Sequence, residues 1–355
     1  MILNLHWYKR TGLVICSILC VSMMGCSDKD EKKETDIGYD YILTQEYQNA
    51  LEHFNIALQK GENQENLYRG MGLAYMGKKE YGKAVDSFKS ALSCAGMFPG
   101  DLEYDINNYM AISYYKLEDF ESAIKVYDGI IGMKPKDATA YFMRGTMELD
   151  KDDIENALLD FDKATEIKKN DYGQYIDVYA CLKEHGHEAE GQKYIDVVMS
   201  ADSADINDYD KGRLCYYRGD FAQGCNYLER AKELDATNLE VISLLSDCYK
   251  QTGQYEYAAV VYSSYLANKE DPDVYNRLGL CYIEQGDYSS ALNAFQAGIA
   301  ITENNTSMQT LMLNEVICYE HLGDFKTAKE KLSEYMSVYS ADEIVKKEYA
   351  FLTTR

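Results

Sequence analysis

The chain has 355 residues, with 36 Lys or Arg against 59 Asp or Glu and a formal net charge of −23. This acidity argues against nucleic acid as a partner, because phosphate backbones are bound by basic surfaces. A hydrophobic fraction of 46% excludes a disordered chain, and only three Pro disfavour an all-β fold rich in turns. The length by itself suggests two or three domains.

The N-terminal residues have the composition of a secretion signal. Two basic residues precede an apolar run over 13–24, which ends at Gly25 and Cys26 before a highly charged stretch. The run is shorter than the ~20 residues that span a bilayer, so it predicts a signal peptide rather than a membrane helix. A small residue directly before Cys resembles the lipobox of bacterial lipoproteins. This resemblance implies that Cys26 carries a diacylglycerol thioether and becomes the new N-terminus.

We therefore predict a lipoprotein signal peptide over 1–25, followed by the lipidated Cys and a charged tether over 26–36. Cleavage would remove two basic and no acidic residues, which changes the net charge from −23 to −25. The implied location is the extracytoplasmic face of a bacterial cell envelope, with the protein held to the membrane by its lipid. Two alternatives remain open, namely an uncleaved N-terminal anchor and a secretory peptide cut elsewhere.

The rest of the chain is periodic. A small residue followed four positions later by an aromatic or aliphatic residue recurs at intervals of 33 to 39 residues. The nine pairs are Ala50/Phe54, Ala84/Phe88, Ala123/Tyr127, Ala157/Phe161, Gly191/Ile195, Gly224/Leu228, Ala258/Tyr262, Ala291/Phe295 and Ala328/Leu332. Each unit predicts two amphipathic helices joined by a tight turn. The turns of the last five units are marked by Gly186, Gly219, Gly253, Gly286 and Gly323.

These units resemble the tetratricopeptide repeat. The signature positions of the eighth unit hold Tyr275, Leu278, Gly279, Tyr282, Gly286, Tyr288, Ala291 and Phe295. The resemblance implies an all-α, right-handed superhelical solenoid of about nine helical hairpins over 37–341. The stretch 342–355 is then a capping helix and tail that covers the apolar face of the last unit.

Units five and six depart from the signature. Gly191 and Gly224 replace the usual Ala, and Glu188 stands where an aromatic residue is usual. Gly inside a helix costs about 1 kcal/mol relative to Ala. We therefore predict that the junction of these two units is the weak point of the array. A short insertion around 99–103 precedes the third unit.

The resemblance implies that the first helices of successive units line a concave groove that binds a peptide or a helix of another protein. The inward positions that we select for partner binding are Arg69, Leu73, Ile112, Tyr115, Lys116, Phe142, Arg213, Tyr216, Tyr217, Leu280 and Ile283. Over all inward positions the net charge is +2 in units one to three and −4 in units seven to nine. We expect a mixed apolar and polar groove with a charge gradient. The Asn residues of the carboxylate clamp that holds chaperone C-termini are missing, so that clamp is absent.

Catalytic, metal and cofactor signals are weak. His185 and His187 form the only His cluster, and they lie at the predicted turn of unit five, without a third ligand in reach. Neither a nucleophile elbow nor a phosphate-binding loop occurs. We predict no enzyme activity, no cofactor, no metal and no small-molecule substrate.

The cysteines beyond Cys26 fit core positions. Cys181, Cys248, Cys281 and Cys318 share one repeat position, and equivalent positions of stacked units lie too far apart for a disulfide. Whether Cys215 pairs with Cys225 across the hairpin of unit six is left open.

The function that fits these observations is a membrane-anchored, non-catalytic adaptor that binds other proteins through its groove. Three alternatives are retained. The protein could be secreted in soluble form with the same role, or could be an accessory subunit of a cell-envelope enzyme or of a system that assembles pili or outer-membrane proteins. It could also be an enzyme with an unrecognised site, which the extent of the repeats opposes.

Overall fold

The structure is a computed structural model that describes residues 32–96, 100–302, 305, 307–339 and 343–354. Within these residues it contains 19 α-helices and no strand, which confirms the all-α fold class. The helices are α1 (Glu34–Leu43), α2 (Tyr47–Gln59), α3 (Gln64–Gly77), α4 (Tyr81–Ser93), α5 (Asp101–Lys116), α6 (Phe120–Met133), α7 (Ala138–Asp150), α8 (Ile154–Ile167), α9 (Tyr172–Glu184), α10 (Glu188–Ser200), α11 (Asp208–Arg218), α12 (Phe221–Leu234), α13 (Leu239–Gln251), α14 (Tyr255–Leu266), α15 (Pro272–Glu284), α16 (Tyr288–Ala300), α17 (Met308–His321), α18 (Phe325–Val338) and α19 (Glu343–Leu352).

The chain divides into two compact bodies. The N-terminal body ends at Ala201 and contains the five hairpins α1–α2 to α9–α10. The C-terminal body starts at Asp202 and contains a 3₁₀ turn at Ser203–Asp205, the four hairpins α11–α12 to α17–α18, and α19. The division falls between the fifth and sixth units, where the sequence predicts the weak point of the array.

Each hairpin turns through one residue in the left-handed backbone region. In the last five hairpins this residue is the predicted Gly, with φ between 75° and 83°. In the first four hairpins, Gln45, Lys79, Glu118 and Asp152 take the same place with φ between 59° and 62°. A side chain there is strained by contact between its Cβ and the backbone. The turn geometry is therefore shared by all nine hairpins, but only five use the residue that suits it.

The signature residues form the core of each hairpin. The small residues Ala50, Ala84, Ala157 and Ala291 have no exposed surface, and the same holds for the aromatic ring four positions after each. The ring of Phe54 shows how tight the packing is. A Cβ added at Gly38 would lie 2.5 Å from it, and one added at Gly70 would lie 2.4 Å from it. Glycines on two successive first helices thus let both helices approach one ring.

The unusual residues of the fifth unit have a local explanation. Glu188, which replaces the signature aromatic residue, accepts hydrogen bonds from the Tyr179 hydroxyl and from Lys183, each at 2.8 Å. A Cβ on Gly191 would lie 3.0 Å from the Tyr179 ring. Gly therefore makes room for Tyr179 in this hairpin, and Glu188 satisfies its hydroxyl.

The seven cysteines in the described residues are all free thiols. Cys181, Cys248, Cys281 and Cys318 are buried, as predicted for core positions. Cys215 and Cys225 are also buried, and they are not joined, which settles the pairing that the sequence left open.

The ends of the array differ slightly from the predicted boundaries. Helix α1 begins at Glu34, so the last residues of the predicted tether are helical. The reason is a cap from the loop between α2 and α3, because the Glu62 carboxylate accepts from the backbone N–H groups of Glu34 and Thr35 at 3.2 and 3.1 Å. At the other end, α19 occupies the predicted capping stretch, with Val345 and Leu352 buried. Among the described helices, none has the length and apolar character needed to cross a bilayer. Cys26 and the predicted signal peptide lie outside the described residues.

Candidate functional site

The predicted binding residues lie on the first helices of the hairpins. We call those on α3, α5 and α7 the N-terminal face. The C-terminal face consists of those on α11 and α15 together with the other inward positions of the last three units, which are Glu240, Asp247, Lys250, Asp273, Glu284, Leu313, Ile317 and Glu320. The exposure of the residues selected from sequence is uneven. Ile112, Tyr115, Tyr216, Tyr217 and Ile283 are half-buried, while Lys116 and Leu280 are exposed.

Four of the selected residues are buried, which corrects their expected exposure in the groove. Leu73 and Phe142 keep only 4% of their surface exposed, and Phe142 packs 5.6 Å from the Phe161 ring of its own hairpin. Arg69 and Arg213 keep 7% and 3%. These four side chains act in packing within and between hairpins, because each meets neighbouring helices before it can reach solvent.

Arg69 connects three hairpins of the N-terminal body. Its Nε donates to Asp105 Oδ2 at 2.6 Å, and its Nη1 donates to the Tyr39 hydroxyl at 3.2 Å. The guanidinium lies 5.8 Å from the centre of the Tyr39 ring and 5.8 Å from that of Tyr109. Burial raises the pKa of Asp105, and Arg69 opposes that rise. The positive charge predicted for this part of the groove is therefore neutralised within the protein.

His185 is held as a cation at the end of α9. Its Nδ1 lies 2.7 Å from the Cys181 carbonyl oxygen and its Nε2 lies 3.1 Å from Asp150 Oδ1. Both neighbours accept hydrogen bonds, so both ring nitrogens carry protons. The hydrogen bond to Asp150 is the main reason that the pKa of His185 rises to about 11, while burial opposes it. Both ring nitrogens are therefore occupied by hydrogen bonds within the protein. No group of three metal ligands occurs in the described residues.

Several ionisable side chains lie close to one another around His185. Burial raises the pKa of Tyr115, and Asp150 raises it further. Lys116 is exposed overall, but partial desolvation of its ammonium group lowers its pKa, and the charge of Lys79 lowers it further. Sequence reasoning missed this cluster, although the repeat offers a signal. Asp150 and Glu184 are 34 residues apart and therefore equivalent, which places His185 one position beyond and next to Asp150.

The first part of the C-terminal face is aromatic. Tyr216 and Tyr217 meet edge to face at 5.4 Å, and Tyr216 also meets Phe221 at 5.8 Å. Below them, buried Arg213 pairs with Asp210 at 3.3 Å and lies 5.3 Å from the Tyr209 ring. Arg213 thus supports α11 from within rather than offering a charge to a partner.

The second part of the C-terminal face is acidic. Its cations are paired internally, since Lys250 lies 2.5 Å from Asp247 and Arg277 lies 3.0 Å from Asp273. Glu320 has no cation beside it in the described residues. Burial, and then the neighbouring carboxylate of Glu348, raise the pKa of Glu320 to about 7. Sequence reasoning missed Glu348 because it lies on α19, outside the repeats.

The predicted charge gradient is thus altered. In units one to three, Arg69 on α3 is neutralised by Asp105, and Lys32, which precedes α1, pairs with Asp40. On the C-terminal face the pairing of Lys250 and Arg277 leaves Glu284 and Glu320 without an ion pair in the described part of the chain. The acidic end of the gradient persists, and the basic end is largely offset.

Comparison with known proteins identifies the repeat in two parts of the chain. Family models described as tetratricopeptide repeat match residues 110–172 and 272–305. A curated TPR repeat-containing protein of Methanocaldococcus jannaschii is 23% identical over 241 residues, which is 64% of this chain. The chain spans 41% of the length of that relative.

Solved structures resemble this chain in fold. A tetratricopeptide repeat protein of Parabacteroides merdae is 17% identical, covers 79% of this chain and 97% of its own, and has a TM-score of 0.45. Human IFIT1, solved as a dimer with m7Gppp-AAAA, is 15% identical, covers 90% of this chain and 80% of its own, and has a TM-score of 0.50. The chain therefore carries tetratricopeptide repeats at residues 110–172 and 272–305, within an all-helical array of hairpins.

Proposed function

We propose that the protein is a non-catalytic adaptor that binds segments of other proteins on its first-helix faces. The supporting observation is the exposure of apolar residues on these helices. Leu280 and Ile317 keep 43% and 39% of their surface exposed, although the core residues Ala291, Phe295 and Ala328 of the same two hairpins have no exposed surface. Apolar surface presented on a rigid array is a means of binding peptides and helices.

Photocrosslinking in intact cells tests this proposal. A photoreactive amino acid replaces Tyr115 on the N-terminal face or Tyr216 on the C-terminal face, both half-buried aromatic positions. The matched control carries the same group at Leu159, which is 68% exposed on the second helix α8. We expect a specific adduct from a face position that the control lacks. Absence of such an adduct at both face positions would contradict binding at these faces.

We further propose that the adaptor is attached to a bacterial membrane through lipid on Cys26. The support is the sequence, in which an apolar run ends at Gly25 and Cys26 and a charged stretch follows. The acidic body would be repelled by anionic headgroups, so the tether would keep it off the surface. Cys26→Ala should move the protein from the membrane fraction to the supernatant, or leave an unprocessed precursor. An unchanged distribution with normal processing would refute lipid attachment.

A further inference from the structure

The C-terminal body carries an apolar strip between two neighbouring first helices. Leu280 on α15 and Ile317 on α17 are exposed, and Ile283 and Leu313 beside them are half-buried. The two helices are in register, because Asn314 on α17 donates to the Asn276 side chain on α15 at 2.8 Å. A pair of large apolar side chains left exposed on adjacent helices is a candidate contact surface.

Carboxylates border this strip at one end. Glu284 follows Leu280 by four residues on α15, and Glu320 follows Ile317 by three residues on α17, so each lies on the same helix face as its apolar neighbour. Glu348 on α19 adds a third carboxylate next to Glu320. None of the three forms an ion pair with a described residue, whereas nearby Lys331 pairs with Glu334 at 3.2 Å and Lys346 pairs with Glu343 at 2.9 Å.

Glu320 is a carboxylate whose negative charge no described cation compensates. Its Oε1 is buried, and no described residue satisfies it with hydrogen-bond geometry, although the Glu348 carboxylate lies beside Glu320. Burial together with a second carboxylate favours the protonated form, which is why the pKa of Glu320 is raised. A cation placed between Glu320 and Glu348 would take over the role of that proton and would satisfy the buried oxygen.

We propose that this strip binds a protein segment in which Lys or Arg lies next to apolar side chains. The apolar residues of the segment would cover Leu280 and Ile317, and its cation would lie between Glu320 and Glu348. This inference rests on the proposed function and names the chemistry of the partner for one face. Complementary charge also selects against other segments, because an acidic one would be repelled by the same carboxylates.

Binding of a designed peptide tests the inference. The probe is a fluorescent helical peptide with Leu at three- and four-residue spacing and Lys between, measured by anisotropy against the full chain in phosphatidylcholine nanodiscs. Empty nanodiscs provide the background. The comparison peptide has Glu in place of every Lys. We expect the Lys peptide to bind and the Glu peptide to bind at least tenfold more weakly.

Variants of the protein locate the site. Glu320→Gln combined with Glu348→Gln should weaken binding of the Lys peptide about tenfold, and so should Leu280→Ser combined with Ile317→Ser. The control, Glu233→Gln combined with Glu330→Gln, changes the same number of charges at exposed positions on second helices of the same body. It should change binding less than twofold, and far-ultraviolet circular dichroism should show that all variants are folded.

Three results would overturn the inference. Equal losses in the control and in the Glu320/Glu348 variant would show a response to overall acidity. Equal binding of the Lys and Glu peptides would show that the carboxylates do not select charge. Failure of both peptides to bind would also refute it, and if the Tyr115 or Tyr216 adducts still form, the proposed adaptor function stands without this partner chemistry.

Discussion

Some ion pairs join successive hairpins. Asp150 and His185 form an ion pair between successive hairpins, and Arg69 does the same with Asp105. Because the pKa of His185 is raised to about 11, its pairing gives its full stabilisation below pH 6.5, and this contribution declines as the pH rises until it is lost above about 11. This link therefore remains in place at neutral pH.

Glu320 should give the opposite dependence on pH. Its pKa rises from 4.5 to about 7 on folding, so the folded state keeps a proton that the unfolded state releases. The free energy of unfolding should therefore fall as the pH rises from 4.5 to 7. Glu320→Gln should remove this contribution and stabilise the protein at pH 8 by ~1 kcal/mol, after allowance for solvent screening.

Urea unfolding of the variant and the parent at pH 5 and pH 8 measures this effect. Glu330→Gln is the matched control, since Glu330 is exposed on α18. The difference between Glu320→Gln and the parent should be larger at pH 8, and the control should show no such change. A difference that is the same at both values would mean that Glu320 titrates normally.

At the scale of the helical hairpin, the identity of the turn residue decides whether the backbone of the turn is strained. Each of the nine turns has one residue in the left-handed backbone conformation, and in four of the turns this residue is not Gly. Such a position costs about 1 kcal/mol for a residue with a Cβ. The four strained turns all belong to the N-terminal body, whose stability should therefore respond to Gly substitution.

Substitutions at these turn positions should change the stability of the protein in opposite directions. Glu118→Gly should stabilise the protein by about 0.5 kcal/mol, because relief of strain exceeds the added flexibility of the unfolded chain. Gly253→Ala should destabilise it by about 1 kcal/mol, because φ at Gly253 is 75°. Thermal unfolding followed by circular dichroism measures both changes.

Gly129→Ala is the control for the turn prediction. Gly129 lies inside α6, and a Cβ built there would meet nothing within 4 Å. This substitution should stabilise the helix by about 1 kcal/mol. If Gly253→Ala were as stabilising as Gly129→Ala, the left-handed turn would not be a feature of the protein in solution.

At the scale of the whole molecule, the division at Ala201 and Asp202 predicts that stability is not shared equally. In repeat arrays each unit is stabilised mainly by its neighbours. Phe295 is fully buried in the eighth hairpin, so Phe295→Ala should cost about 3–5 kcal/mol locally. Amide hydrogen exchange in the C-terminal body should accelerate, while that around Phe54 in the N-terminal body should not change.

Phe54→Ala is the reciprocal variant for this comparison, since Phe54 is equally buried in the second helix of the first hairpin. It should accelerate exchange in the N-terminal body alone. If either substitution lowered protection equally throughout the chain, the two bodies would unfold as one cooperative unit.

The sequence by itself determined the hairpins, their number, the glycine turns, and the core positions of the small, aromatic and cysteine residues. These features depend on contacts within one unit or with the next, and such contacts repeat at a fixed spacing that can be read along the chain. Residues such as Ala50 and Phe54 are therefore predictable.

Only the tertiary structure decided which first-helix residues remain exposed and which charges are paired. The burial of Arg69 and Leu73 depends on how far each side chain is covered by a neighbouring hairpin, and the state of Glu320 depends on Glu348 from a helix outside the repeats. Repeat spacing assigns a residue to a face, but solvent exposure and pairing depend on the particular side chains that meet there. The tertiary structure also located the boundary between the two bodies, because the compactness of a body depends on contacts summed over many hairpins.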